Sequence, residues 1–242
     1  MTPYRKTLLE ARKTYSNCAK KIEQVISEAE LNETLSEQIV GIGAAIEWIR
    51  RSAEMDDIHY IGKNFNKSAR KQSFLELLRF NFSWFGLNAI FTRPCLLSLV
   101  GTPPFNGEYG HFRVLYDSAM PVSSPIRLVQ LHDLLNSPTS PRLATMPSGS
   151  SVSTLSAIRM KYLPKNVHGR TAEAIEAAVK AGNANSLDMP TLLYSFRNWS
   201  VHGNALDGCF GSRPRFVNYV CLLEETLAEV HLHTAQKLYE LL

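Results

Sequence analysis

The stretch Asp188-Met189-Pro190-Thr191-Leu192-Leu193-Tyr194-Ser195-Phe196-Arg197-Asn198-Trp199-Ser200-Val201-His202-Gly203 carries most of the information in this chain. It reads as a helix. Asp188 stands at the N-cap position and Pro190 falls in the first turn, where a missing N–H does no harm. Leu192, Phe196 and Trp199 recur at i, i+4 and i+7 and form one apolar face. Arg197 lies on a different face, one turn beyond Leu193. Gly203 marks the expected helix end, since glycine takes the left-handed C′ conformation at little cost. His202 then falls in the last turn or just past it. Residues five apart on an ideal helix are separated by about 140°, so Arg197 and His202 do not share a face. They converge if the last turn loosens, or if a second copy of the chain supplies the partner group.

Working outward, the rest of the chain is dominated by the same periodicity. Leu8, Ala11, Tyr15, Cys18, Ile22, Val25 and Ala29 step by three and four, which predicts a long amphipathic helix over 4–30. Asn32 or Thr34 caps a second helix carrying Leu35, Ile39, Ile42, Ile46, Ile49 and Ala53. Two long helices joined by a short polar turn predict an antiparallel hairpin. Gly41 and Gly43 lie in the second helix and suggest close helix–helix approach. A third helix, over 73–92, is apolar nearly all round, so it is expected to be central and buried. Asn88 interrupts it and needs hydrogen-bond partners there. Further helices are expected at 124–135, 152–163 and 171–181, with a final one running from Ser212-x-Pro214 to Leu242. Residues 94–150 are rich in proline and glycine and read as an irregular insertion holding one helix and a short strand or turn at Phe112–Tyr116. The expected architecture is one all-α domain over 1–242, with 94–150 inserted between its helical halves.

A hydrophobic fraction of 45% with 20% charged residues is that of a globular protein able to build a sizeable core. The four cysteines, Cys18, Cys95, Cys209 and Cys221, show no metal-binding spacing and read as buried free thiols in a reducing compartment. The start of the chain does not read as a signal peptide, and no apolar run approaches the ~20 residues of a membrane span. The expectation is a cytoplasmic protein with no membrane partner. The net charge of +4 permits a polyanionic partner without demanding one. Lys63, Lys67, Arg70 and Lys71 interleave with Phe65 and read either as a solvated loop or as an RNA-phosphate-contacting patch. His111, His132 and His168 read as loop or helix-surface residues. His231 and His233, two apart on a helix, have poor metal geometry and read as solvated or core residues. No metal site and no cofactor is expected.

Histidine is the side chain best suited to move protons near neutral pH, and arginine presents a planar fork that matches a phosphate. Together they suffice to cleave RNA without a metal. Histidine removes the 2′-hydroxyl proton, the oxygen attacks the adjacent phosphorus, and arginine stabilises the extra negative charge. This route needs the 2′-OH, so DNA would be inert.

Arg197-Asn198-x-x-x-His202 resembles the R-N-x-x-x-H signature of the HEPN superfamily of all-α ribonucleases and RNA-binding proteins. The resemblance covers the motif and the helices at 73–92, 188–203 and 213–242, and does not reach the insertion. It implies a HEPN-like helical bundle and a homodimer whose two motifs meet in one cleft. It also implies His202 as general base or acid, Arg197 on the scissile phosphate, and Asn198 orienting the phosphate or the histidine. The implied function is a metal-independent endoribonuclease in a toxin–antitoxin, phage-defence or stress-response setting, with an antitoxin or regulatory protein as a further partner. A tyrosine two residues after the histidine marks toxin members silenced by nucleotidyl transfer. Asn204 stands there, so that route of regulation is not expected. The alternative is a non-catalytic helical scaffold, or a nucleotide- or RNA-binding protein, in which Arg197 and His202 hold an interface or a ligand.

Overall fold

The computed structural model describes residues 3–28, 32–57, 68–120, 125–140, 150–166, 169–201 and 206–242. Among them the chain is all-α. The helices are α1 (Pro3–Glu28), α2 (Glu33–Glu54), α3 (Ser68–Phe91), α4 (Pro94–Val100), α5 (Glu108–Ala119), α6 (Pro125–Asn136), α7 (Thr154–Asn166), α8 (Arg170–Lys180), α9 (Met189–Val201) and α10 (Arg213–Leu241). A 3₁₀ turn covers Leu206–Cys209, and strands β1 (Pro138–Thr139) and β2 (Val152–Ser153) pair antiparallel as a two-residue ribbon. None of these helices is long and apolar enough to cross a membrane. The chain divides into two compact units, one of residues 1–57, 78–122 and 224–242, the other of 58–77 and 123–223.

In the first unit, α1 and α2 form the predicted hairpin. Asn32 caps α2 by accepting from the Leu35 N–H at 2.9 Å. The chains run antiparallel: Arg5, early in α1, donates to the Ala53 carbonyl at 2.6 Å and pairs with Asp56, while Arg12 reaches Glu54. Residues 231–239 of α10 run beside α1. Tyr15 meets the edge of His231, Cys18 faces the Ala235 carbonyl, and Lys21 donates to the Tyr239 carbonyl. Trp84 of α3 packs on Phe112 of α5 with ring centroids 4.5 Å apart. Asn88 donates to Glu108 Oε1 at 3.0 Å, so the amide that interrupts the apolar helix bridges α3 to the first turn of α5.

Phe112–Tyr116 is helical, not the expected strand or turn. Phe112, Leu115, Tyr116 and Ala119 of α5 are buried at i, i+3, i+4 and i+7, a stripe that the surrounding prolines and glycines conceal. Residues 94–100 are helical as well, with Pro94 at the start of α4 rather than within a loop.

In the second unit, α6 organises the connection that leads into α9. Asn136 accepts from the Ala184 N–H at 2.7 Å and donates to Asn185 at 3.0 Å. His132 is buried, contrary to its reading as a surface residue, because the segment before α9 covers it. Its Nε2 lies 2.7 Å from the Leu187 carbonyl and must carry the proton, since a carbonyl only accepts. Arg215 ties the start of α10 to the carbonyls of Leu134 and Pro138 and to the Thr154 hydroxyl, a cation placed at the C-terminal end of α6.

Only one of the two glycines of α2 marks a close approach. A Cβ on Gly41 would stand 2.7 Å from both Arg93 Cδ and Leu96 Cδ1 and 3.1 Å from the Ala89 carbonyl oxygen, whereas a Cβ on Gly43 would meet nothing within 4 Å. Gly43→Ala is therefore expected to raise stability by up to about 1 kcal/mol through helix propensity. Gly41→Ala is expected to lower it by roughly 1 kcal/mol, because overpacking outweighs the same gain. Urea midpoints of the two variants check this; equal shifts would show that α2 is not seated on α4 as described.

His231 generates a second prediction. It is fully buried, its Nε2–H donates to the Ser83 carbonyl at 2.8 Å, and burial pushes its pKa down to about 4 from an ordinary 6.5. The unfolded chain binds this proton at higher pH than the folded one. Stability is thus intact above about pH 7 and falls between about pH 6.5 and 4, by an amount on the order of 3 kcal/mol. In His231→Gln, which keeps an N–H donor for Ser83, the urea midpoint should fall less steeply over that interval; an unchanged slope would show that His231 is not the group titrating.

Candidate functional site

The signature helix α9 forms as predicted at its start. Asp188 Oδ1 accepts from the Thr191 N–H at 3.1 Å, and the Asp188 carbonyl accepts from the Leu192 N–H. Pro190 sits in the first turn. Leu192, Leu193, Phe196 and Trp199 are all buried, whereas Arg197 and Asn198 are half-buried and Val201 is exposed. The helix thus holds its apolar residues in the second unit and leaves the polar pair of the signature at the boundary with solvent.

Two interactions shape that pair. Arg197 Nη1 donates to the side-chain oxygen of its neighbour Asn198 at 2.8 Å. Asn198 is therefore an acceptor that orients the guanidinium. The Ser200 hydroxyl donates to the Arg197 carbonyl at 2.9 Å, which supplies a partner for one of the last-turn carbonyls. Phe196, between these polar positions and the helix start, packs on Tyr219 and Phe216 of α10 at centroid distances of 5.7 and 6.3 Å. Phe210, just beyond the 3₁₀ turn, closes the same cluster against Tyr219 at 4.9 Å and Phe216 at 5.5 Å.

His202, Gly203 and Asn204 lie outside the described residues, as do Lys63, Lys67 and His168. Arg70 is in α3, but its side chain also lies outside them. Lys71 is half-buried on the same helix. His111 is half-buried on α5, and His233, exposed on α10, places Nδ1 3.2 Å from Met120 Sδ. The structure thus describes Arg197 and Asn198 together and does not describe the histidine beside them.

No family model, curated protein or solved structure matches this chain. The functional reading therefore rests on its own residues.

One feature of the second unit escaped the sequence. A pocket of about 390 Å³ opens between α7, the 3₁₀ turn and the start of α10, and is lined by Ser140, Lys161, Asp207, Cys209, Ser212 and Arg213 among others. Arg213 Nε and Asp207 Oδ2, both from its lining, are 3.5 Å apart. Burial pushes the Cys209 thiol up to about 11, outweighing the opposite pull of Lys161, so it stays protonated near neutral pH. The glycine pattern Gly208-x-x-Gly211 is the sequence signal at this place. As a nucleotide fingerprint it carries nothing, because no strand precedes it.

The capping of α9 is open to test. Asp188→Ala is expected to cost about 1 kcal/mol, read as a lower urea midpoint, while Asp188→Asn recovers most of the loss. Equal loss in both variants would assign the effect to charge and not to the cap.

Proposed function

We propose that this chain is a HEPN-like, metal-independent endoribonuclease that acts as a homodimer. The observation that supports the proposal is the sequence signature Arg197-Asn198-x-x-x-His202, whose first two residues stand half-buried on α9, with Arg197 hydrogen-bonded to Asn198, while Leu192, Phe196 and Trp199 of the same helix are buried.

In this reading His202 takes the proton from the 2′-hydroxyl, and the freed oxygen attacks the adjacent phosphorus. The bond to the 5′-oxygen breaks, and a second proton donor, the partner copy's equivalent histidine, protonates that leaving oxygen. The products are a 2′,3′-cyclic phosphate, open to later hydrolysis to a 3′-phosphate, and a free 5′-hydroxyl. Arg197 neutralises the charge that builds on the non-bridging oxygens, and Asn198 holds its fork in one orientation. The dimer answers the angular separation that an ideal helix would impose on positions five apart, because the reacting groups need not come from one chain. A single HEPN-like domain, a cytoplasmic setting, an antitoxin or regulatory partner, and a role in a toxin–antitoxin, phage-defence or stress-response system belong to the same proposal.

One observation favours a second reading. The Arg197 guanidinium is already hydrogen-bonded within its own helix, as expected if the pair serves a non-catalytic scaffold or binding surface.

The two readings separate in a cleavage assay on a mixed RNA pool in EDTA. Wild type is expected to cut, and His202→Ala and Arg197→Ala are expected to lose at least about a hundredfold of the rate while folding and dimerising normally. No cleavage by folded wild-type dimer would favour the scaffold. Equal cleavage by wild type and both variants would place the active centre elsewhere.

A further inference from the structure

We infer that a second copy of this chain docks on the outward face of α2, with the two helices antiparallel and crossing at Ala44. This contact holds the homodimer of the proposed function, and rests on that reading for there being a pair at all.

The face carries the residue types of an interface centre. Ile42, Ala45, Ile49 and Ala53 line the inner side of α2 and are buried. The other side presents Val40, which is 55% exposed, with Ala44 and Trp48, which are half-buried. Trp48 packs on Phe82 and Phe85 of α3 at centroid distances of 5.5 and 5.1 Å, and both phenylalanines are themselves half-buried. Three aromatic rings therefore share one partly exposed patch. Arg51 lies over the Trp48 ring at 4.8 Å. Beside the patch, a Cβ on Gly43 would meet nothing within 4 Å. Aromatic side chains and arginine are enriched at the centres of protein interfaces, where they supply most of the binding energy.

The order of residues along the face selects the partner. At 100° per residue, Glu37 and Arg51 lie about 20° to either side of Ala44, and Val40 and Trp48 about 40°. The face thus reads acidic, aliphatic, small, aromatic, basic. A two-fold axis through Ala44 sets residues equally far before and after it against each other. Arg51 then meets Glu37 of the partner subunit, and Trp48 meets Val40 of the partner subunit. The two Ala44 methyls meet at the axis, where a small side chain lets the helices approach. A contact between identical surfaces requires this kind of self-complementarity. A parallel pair would set Glu37 on Glu37 and Arg51 on Arg51, and like charges oppose it.

Both charged groups have partners within their own chain that leave room for this one. Arg51 Nε pairs with Glu47 at 2.9 Å, and the guanidinium fork has further donors for a second carboxylate. Glu37 is exposed beside Cys95, whose thiol is raised by burial and then by this carboxylate. A carboxylate accepts from several donors at once.

The test is sedimentation equilibrium of the full chain in reducing buffer. Wild type is compared with Glu37→Arg, Arg51→Glu, the double variant carrying both, and Ala44→Glu, each first shown to be folded by circular dichroism and urea midpoint. Wild type is expected to dimerise. Each single charge reversal is expected to weaken the dimer at least about tenfold, and the double variant, in which every pair is restored with its signs exchanged, to return within about threefold of wild type. Ala44→Glu sets two like charges against each other at the axis and is expected to weaken the dimer at least about a hundredfold. A dimer unchanged by all four variants would overturn the contact. Weakening by each single reversal without recovery in the double would overturn the antiparallel register. A monomeric wild type would overturn both the contact and the homodimer. RNA cleavage, followed in parallel, separates the two readings. Cleavage by a dimer indifferent to these variants removes the contact and keeps the ribonuclease. A dimer that the double charge reversal recovers, but that never cuts, removes the ribonuclease and keeps the contact.

Discussion

The four-ring cluster of Phe196, Phe210, Phe216 and Tyr219 is the constraint on which the candidate site depends. It joins α9, the segment after the 3₁₀ turn and the first turns of α10 in one buried contact. Offset and edge-on aromatic pairs contribute about 0.5–1.5 kcal/mol each beyond the area they bury. The larger effect is geometric: with Phe196 committed to that cluster, Arg197 and Asn198 have one remaining face of α9 to occupy. α9 carries Arg197 and Asn198, the 3₁₀ turn shapes one wall of the pocket, and the start of α10 supplies Arg213.

Other contacts of the same unit act on α9 from its opposite end. Asn136 and His132 of α6 hold the backbone of residues 184–187, just before the Asp188 cap. The helix is tied down at its start by polar contacts to the backbone and toward its end by aromatic packing. Between these anchors, Arg197 Nη1 donates to its neighbour Asn198. The amide of the signature thus has a physical role. It accepts one N–H of the guanidinium, which helps to fix the plane of the fork.

What was legible in the sequence follows the length and regularity of each helix. The periodicity of α1, α2 and α10 runs over many turns and marks most of their buried stripes, although Val25 is exposed and Leu35, Ile39 and Ile46 are half-buried, and Asn32 and Asp188 act as caps because their side chains reach the N–H groups three residues on. The short helices α4 and α5 were hidden among prolines and glycines, although Phe112, Leu115, Tyr116 and Ala119 hold a helical stripe. His132 read as a surface residue because its burial comes from a connection more than fifty residues away. Arg197 and Asn198 were legible as a motif, but their mutual hydrogen bond was not, since spacing carries no rotamer. Beyond the glycine pattern Gly208-x-x-Gly211, the pocket at the start of α10 was not legible, because Lys161, Asp207 and Arg213 come to it from separate elements.

The proposed function makes a chemical claim: the nucleophile would be the RNA's own 2′-oxygen, with His202 as its base. The most direct measurement takes an RNA that the protein cuts at one mapped position and replaces the nucleotide 5′ of that bond by its 2′-deoxy form. Cleavage at that bond should disappear while other bonds remain susceptible, and the unmodified RNA should yield cyclic phosphate ends. Cleavage that persists at the deoxy position would show that water or a protein group is the nucleophile, and would contradict the roles assigned to Arg197 and His202.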